Sequence, residues 1–300
     1  MRGLLLIAFF VLLGCQSATH TKATDSDVSM AELPRVLAGM QERSDLLQQL
    51  HGWGVVELRW TDAEGSHFEQ GDLEFWMEGS DRLAVRISKL GDPYFWIGTD
   101  GTDAWIFDLS ERPRRLMVDS MAKVRAVGQT GGPWLSILDT VRMMRTGLGA
   151  SPPPSLEDVS SLESADNSTW RLTFRDGADQ ARRVRLHVDS DTWRPLQLEL
   201  FNTNGTKGIT VGSRSSRTKR VEIPNRSSLG SPIVSAIMDV RDDTATDTLA
   251  RFAFEGLTTD LSAEPVERLF DLDTLRASLR PEVEGPLLES RPVDDLSTTR

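Results

Sequence analysis

Cysteine is almost absent from this sequence, which has a single one among its 300 residues. One cysteine excludes a disulfide within the chain and any zinc or iron–sulfur site built from several cysteines. The histidines are also few, and no two of them have the spacing of metal ligands. They are His20, His51, His67 and His187. The sequence therefore predicts no metal site.

Basic residues are outnumbered, with 34 Lys and Arg against 45 Asp and Glu, which gives a net charge of −11. A chain this acidic repels a phosphate backbone, so nucleic acid is not an expected partner. The sequence also lacks a nucleophile elbow, a phosphate loop, a dinucleotide glycine motif and a His-Glu-x-x-His zinc motif. We therefore predict no enzymatic activity and no cofactor, and rank an enzyme of unfamiliar type behind the two binding functions given below.

Only one long apolar run is present, from Leu4 to Leu13, and it follows the basic residue Arg2. It has about half of the ~20 residues that a transmembrane helix needs, so it indicates a secretion signal. The run ends in Leu12-Leu13-Gly14-Cys15, which resembles the lipobox of bacterial lipoproteins. In that family the cysteine is acylated and the chain is cut before it. The alternative is a simple signal peptide with a chance cysteine.

The lipobox resemblance implies a signal peptide over residues 1–14 and lipidation of Cys15. Two or more acyl chains give stable anchoring, because each buried methylene contributes about 0.8 kcal/mol. Gln16 follows the cysteine, and by resemblance to enteric lipoproteins this favours the outer membrane, facing the periplasm. Residues 15–29 lack apolar periodicity and predict a disordered tether.

Apolar periodicity beyond residue 29 predicts helices and short strands. A stripe at helical spacing predicts a first helix capped by Ser29, with Pro34 in its early turns. Alternating residues between 55 and 118 predict a meander of antiparallel strands. A second helix is expected from Pro133, followed by further strands and a short helix capped by Asp271 or Asp273.

The number of strands predicts a curled sheet. About ten strands spaced about 4.8 Å apart make a sheet nearly 50 Å wide, which two helices about 10 Å across cannot cover if it stays flat. The predicted class is α+β: an unclosed half β-barrel of ten or more antiparallel strands lidded by two or three helices. It forms one domain over residues 30–280, and a disordered tail occupies 281–300.

A curled sheet with few helices tends to enclose an apolar hollow that can hold a ligand. We expect large apolar side chains of the strands and the second helix to line it. The candidates are Trp60, Phe75, Met77, Trp96, Trp105, Trp134 and Leu138. The alternative is that aromatic side chains fill the hollow completely.

The order of elements behind a lipid-anchored amino terminus resembles the lipoprotein-localisation family of LolA and LolB. Three segments carry the resemblance, over roughly residues 30–213: the strand and turn ending in Lys89-Leu90-Gly91-Asp92, the turn and strand Gly98–Trp105, and the hairpin Val188–Pro195. The resemblance implies a helix-lidded half-barrel that holds acyl chains of client lipoproteins. It also implies that Leu90 protrudes to deliver a client to the membrane. No proline precedes Leu90, which leaves an incidental turn residue as the alternative.

Together these observations predict a monomeric, lipid-anchored envelope protein that binds acylated lipoproteins or other apolar ligands and transfers lipoproteins to the outer membrane. Its expected partners are the membrane, through the acyl chains, and the acylated or lipid ligand. The alternative function is a filled half-barrel that acts as a scaffold or sensor and binds envelope proteins through its surface.

Overall fold

The computed structural model describes most of the chain between residues 25 and 287. The described ranges are 25–62, 65–127, 137–166, 168–176, 179–202, 204–213, 217–225, 230–243, 249–261 and 266–287. Four α-helices lie in these ranges, together with one short 3₁₀ helix, Val266–Leu269. The α-helices are α1 (Asp25–Asp45), α2 (Met121–Val127), α3 (Ile137–Leu148) and α4 (Leu272–Leu279).

Sixteen strands are described, and they divide into those before α3 and those after it. Those before α3 are β1 (Gln49–Asp62), β2 (Gly65–Glu78), β3 (Arg82–Lys89), β4 (Asp92–Thr99), β5 (Asp103–Asp108) and β6 (Arg115–Ser120). Those after α3 are β7 (Val159–Asp166), β8 (Thr169–Asp176), β9 (Asp179–Asp189), β10 (Pro195–Phe201), β11 (Lys207–Ser213), β12 (Thr218–Arg220), β13 (Ile233–Ser235), β14 (Ile237–Asp242), β15 (Leu249–Thr258) and β16 (Val283–Pro286).

Fourteen of these strands form one sheet, while β12 and β13 pair with each other. The order is β16-β6-β5-β4-β3-β2-β1-β15-β14-β11-β10-β9-β8-β7, so β14 and β15 join the two meanders. Neighbours are antiparallel except β16, which runs parallel to β6. The terminal strands β7 and β16 lie at opposite ends of this order, so the sheet is not closed. The predicted α+β fold, an unclosed antiparallel sheet with a helical lid, is confirmed.

The inner face of the sheet carries the main core. Every second side chain along the strands points to this face and packs with α1 and α3. The smaller helix α2 packs beside β5. Leu33 and Val36 of α1, and Leu47 two residues after its end, are completely buried in this core. The stripe read from the sequence is therefore the face by which α1 covers the sheet.

The opposite face of β2–β6 is buried too, which the alternating pattern did not predict. Trp76 packs against Phe270, which follows the 3₁₀ helix, and Leu275 of α4 covers Trp96 and Trp105. The rings of Trp76 and Trp96 stack with centroids 6.2 Å apart. The polar residues that alternate along each strand predicted that this face is exposed to solvent. The apolar residues of the same face are instead covered by the C-terminal segment that contains Phe270 and Leu275.

Several element boundaries differ from those expected. Helix α1 begins at Asp25, four residues before Ser29, and Pro34 therefore lies inside the helix. Helix α2 was not expected, and β16 forms within the segment 281–300 that was expected to be disordered. That strand forms because an edge of the sheet is available to it, which is a tertiary effect.

The predicted cap of α4 is confirmed, since the Asp271 carboxylate accepts hydrogen bonds from the backbone N–H groups of Asp273 and Thr274.

Candidate functional site

A cleft of about 450 Å³ opens between the lid helices and the second half of the sheet. Its walls are α1, α3, the loop that follows α3, and β8 to β10. This volume lies within the range of about 300–1,000 Å³ that is usual for small-molecule sites. The cleft is therefore the candidate functional site.

One wall of the cleft is apolar. It combines inward-facing strand residues with residues of α1 and of two proline-containing loops. They are Met40, Pro152, Pro153, Pro154, Phe174, Val184, Leu186, Trp193 and Pro195. Three consecutive prolines fix the backbone of the loop in extended conformations and supply no N–H donors, so this edge presents mostly carbon to the cleft.

Trp193 covers the middle of α1. Its indole lies directly against Gly39, where a Cβ atom would overlap the ring. Trp193 also has a positive φ of 55°, which is uncommon for a bulky residue. The strained turn between β9 and β10 thus holds an aromatic ring between α1 and the cleft.

The opposite wall is cationic, and its central residue is Arg43 of α1. Only 5% of this residue is exposed, and its Nη2 donates hydrogen bonds to the carbonyl oxygens of Leu148 (3.0 Å) and Ile233 (2.8 Å). Its Nε is buried without a hydrogen-bond partner. Burial, together with the nearby positive charge of Arg194, lowers the pKa of Arg43 to about 10.

Arg145 of α3 has similar surroundings. It is 4% exposed, and its guanidinium donates to the carbonyl oxygens of Gly79 and Arg82, the latter at 2.7 Å. Its Nε also lacks a partner. Burial lowers the pKa of Arg145 to about 10 as well. Both arginines remain charged at neutral pH, because these values stay well above 7.

The sequence contains a signal for these arginines that was not used. Arg43 lies three residues after Met40 and four before Leu47, and Arg145 lies four after Val141 and three before Leu148. Both therefore occupy apolar-stripe positions of their helices. A cation on such a stripe must reach solvent, find a partner or remain buried.

The described candidate residues do not form one cavity. Phe75 and Met77 lie on the inner face, completely buried in the main core, with Phe75 edge-on to Phe254 at 5.6 Å between centroids. Trp96 and Trp105 lie on the opposite face, beneath α4. None of these four lines the 450 Å³ cleft.

Trp60 lies in a different place, at the far end of the β1–β2 hairpin. It stacks on His67 with centroids 5.0 Å apart and lines a second, wide cleft of about 970 Å³. The walls of that cleft include Arg59, Arg241, Asp242 and Asp243, so its charges are of both signs. Cys15 and Trp134 lie outside the described residues, and for Leu138 only the backbone, within α3, is described.

Leu90 protrudes from the sheet at the turn between β3 and β4. It is 99% exposed and has a φ of 56°, in the left-handed region. Lys89 beside it donates a hydrogen bond to Glu69 of β2 at 2.5 Å. The turn is thus fixed at its base while the leucine side chain extends into solvent.

The described part of the chain has neither a metal-binding cluster nor a membrane-spanning helix. No three His, Cys, Asp or Glu side chains within these ranges are grouped so that they could hold a metal ion. Among the helices of the same ranges, none has the length and apolar character needed to cross a membrane.

Comparison with known proteins finds similarity in structure only. No protein-family model and no curated protein matches the chain. A domain from Vibrio parahaemolyticus, assigned to the outer membrane lipoprotein-sorting proteins, superposes with a TM-score of 0.52 at 13% identity, over 82% of this chain and 99% of its own. A DUF1329 family protein from Desulfovibrio piger superposes with a TM-score of 0.54 at 10% identity, over 81% of this chain and 98% of its own. A LolA superfamily protein from Nitrosomonas europaea superposes with a TM-score of 0.47 at 15% identity, over 79% of this chain and 98% of its own.

These identities are low, so the comparisons bear on the fold alone. The two structures with TM-scores above 0.5 match over almost their whole length and about four fifths of this chain. The resemblance that the sequence carries is therefore confirmed for the fold: the chain has the unclosed, helix-lidded sheet of the outer membrane lipoprotein-sorting domain.

Proposed function

We propose that this chain is a lipid-anchored protein of the cell envelope that holds an acyl chain between its lid helices and its curled sheet. The ligand is an acylated lipoprotein or another apolar molecule. The observation that carries the proposal is the 450 Å³ cleft, which opens in this position and has one apolar wall. The shared fold with a lipoprotein-sorting domain supports the same assignment.

The apolar wall matches an acyl chain in chemistry. Phe174 and Trp193, both partly exposed, offer carbon surface to the cleft. Each methylene that leaves water for such a surface contributes about 0.8 kcal/mol. An unacylated peptide lacks this contribution, so binding depends on the acyl chain.

A ligand with several acyl chains requires the lid to move. Phe75 and Met77 are completely buried in the main core, to which α1 contributes, and they reach a ligand only when that core opens. The contact between Trp193 and Gly39 must break in that movement. The described conformation is, in this proposal, the closed form.

The anchor and the exposed hairpin complete the proposal. Acylation of Cys15 and the flexible tether that follows hold the protein, as a monomer, at the periplasmic face of the outer membrane. Leu90 then contacts the bilayer and aids release of the ligand. An exposed leucine at the tip of a rigid turn supports this role, because it gains no packing within the protein.

The test is native mass spectrometry of the chain carrying Cys15→Ser, so that no acyl group of its own competes for the cleft. The protein is mixed with a dipalmitoylated lipopeptide, and in parallel with the same peptide without acyl groups. We expect a mass shift with the first and none with the second. No shift with either would contradict the proposal.

A second candidate is favoured by the packed interior. Thirty buried apolar residues form the main core, so most of the hollow is filled. In this case the molecule is a scaffold that binds envelope proteins through its surface. The same experiment separates the two functions, since a scaffold binds neither peptide in an acyl-dependent way.

A further inference from the structure

The two buried arginines in the cleft have no counter-charge beside them. No described carboxylate forms an ion pair with Arg43 or Arg145. The acidic groups that influence them, Asp189 for Arg43 and Asp81 for Arg145, act only through longer-range attraction. Buried charges in proteins are normally paired, because burial removes the stabilising interaction with water.

The carbonyl oxygens around these arginines satisfy hydrogen bonds but not charge. A guanidinium has five N–H donors, and in both residues the Nε donor remains buried without an acceptor. Carbonyl groups are neutral, so the positive charge itself is not balanced by them. The arrangement fixes two cations rigidly beside an open space.

The remaining ionisable residues of the cleft increase the positive charge. Arg142 of α3 and Arg175 of β8 also line it, and Asp158 is the acidic residue of the lining. The Asp158 carboxylate already accepts a hydrogen bond from the Ser155 hydroxyl at 2.6 Å. Four arginines against one aspartate are unusual in a chain whose net charge is −11.

We infer that the cleft binds an amphiphile with an anionic head group, a carboxylate or a phosphate, whose apolar chain lies along Phe174, Leu186 and Trp193. Arg43 and Arg145 supply the positive charge at the head group. In each of them the Nε–H has no acceptor and remains to donate to a head-group oxygen, and such a charge-assisted hydrogen bond is stronger than one between neutral groups. This inference rests on the proposed function, because it specifies the ligand of the same cleft.

The first test compares ligands with one chain length and different head groups on the Cys15→Ser chain. Palmitate and palmitoyl-lysophosphatidylglycerol are anionic, and monopalmitoylglycerol is neutral. We expect both anionic ligands to bind at least about tenfold more tightly than the neutral one, because one charge-assisted hydrogen bond in a buried site contributes about that factor in affinity. A preference for only one of them identifies the head group as carboxylate or phosphate.

The second test uses the variants Arg43→Gln and Arg145→Gln, with Arg183→Gln as the control. Arg183 is exposed on β9 and packs over Phe201, away from the cleft. We expect the two cleft variants to lose most of the preference for anionic ligands and to bind the neutral ligand unchanged. Circular dichroism checks the folding of the variants. If a variant unfolds, the comparison of anionic and neutral ligands on the Cys15→Ser chain, in which both arginines are present, still tests the inference.

The outcomes separate this inference from the proposed function. Equal binding of anionic and neutral ligands overturns the inference and leaves the proposed function intact. A preference that persists in both cleft variants also overturns it, because the charge then lies elsewhere. Absence of binding by every palmitoyl ligand, while the dipalmitoylated lipopeptide also fails to bind, contradicts the proposed function itself.

Discussion

Leu90 has an energetically unfavourable conformation that nothing within the fold compensates. A left-handed conformation costs a residue with a Cβ atom roughly 1–2 kcal/mol, and this leucine buries no surface in return. Gly91, the next residue, also has a positive φ, so the turn itself does not require a leucine. A strained and fully exposed apolar residue is a reason to expect a role in binding.

We predict that Leu90→Glu leaves folding and ligand uptake unchanged but reduces transfer of a bound lipopeptide to vesicles by several fold. A carboxylate does not enter the apolar part of a bilayer, whereas leucine does. The control is Val283→Glu, which changes an exposed apolar residue of β16, outside the lining of the cleft. Transfer that is equal in both variants would exclude the LolB-like role of Leu90.

Glu199 illustrates how a buried carboxylate makes stability depend on pH. Burial raises its pKa, but hydrogen bonds and charge from Lys207 and Arg185 outweigh burial and leave the pKa lowered. A lowered pKa in the folded state contributes stability above the unfolded value of about 4.3, and that stability is lost as pH falls through the folded value.

We predict that Glu199→Gln lowers the free energy of unfolding at pH 7 and flattens the decline of that free energy as the pH falls below the unfolded pKa of about 4.3. Urea unfolding at several pH values measures both effects. Glu163→Gln is the control, because that carboxylate forms only an exposed pair with Arg171. An unchanged pH profile in the Glu199 variant would show that this cluster does not stabilise the sheet.

At the scale of elements, the C-terminal segment is a structural part of the half-barrel. The 3₁₀ helix and α4 cover the outer face of β2–β5, and β16 extends the sheet beside β6. This explains how Trp76, Trp96 and Trp105 are buried on the outer face of the first meander. The segment gives the molecule a second apolar layer outside the sheet.

We predict that Phe270→Ala lowers the free energy of unfolding by about 3–5 kcal/mol, the usual cost of removing a fully buried phenylalanine. Phe270 contacts Trp76 and Ala84 and is almost inaccessible to solvent. Val283→Ala, in the same segment but half exposed, is the control and should cost much less. Equal, small effects would mean that the segment is not part of the cooperative unit.

The sequence predicted the elements better than it predicted their partners. The cap at Asp271 and the alternation in β1–β6 depend on neighbouring residues and were readable directly. The pairing of β15 with β1 and the burial of Trp96 depend on residues more than 150 positions away, and no local pattern contains them. For this reason the residues predicted to line the cavity come from both faces of the sheet.

At the scale of the whole molecule, the first meander is packed on both faces, whereas the second borders the open space. Both faces of β2–β5 are buried, whereas the cleft lies between α1, α3 and β8–β10. Residues around the cleft combine strain at Trp193 with uncompensated charge at Arg43 and Arg145. Such features are usual at functional sites, where local stability is lower than elsewhere.

The most direct test of the central claim is photo-crosslinking with a lipopeptide whose palmitoyl chain carries a diazirine, followed by peptide mapping. We expect crosslinks to the apolar wall of the cleft, at Phe174, Leu186 and Trp193, and competition by unlabelled lipopeptide. Crosslinks confined to the surroundings of Trp60 or to the exposed sheet surface, or no specific crosslinks at all, would contradict it.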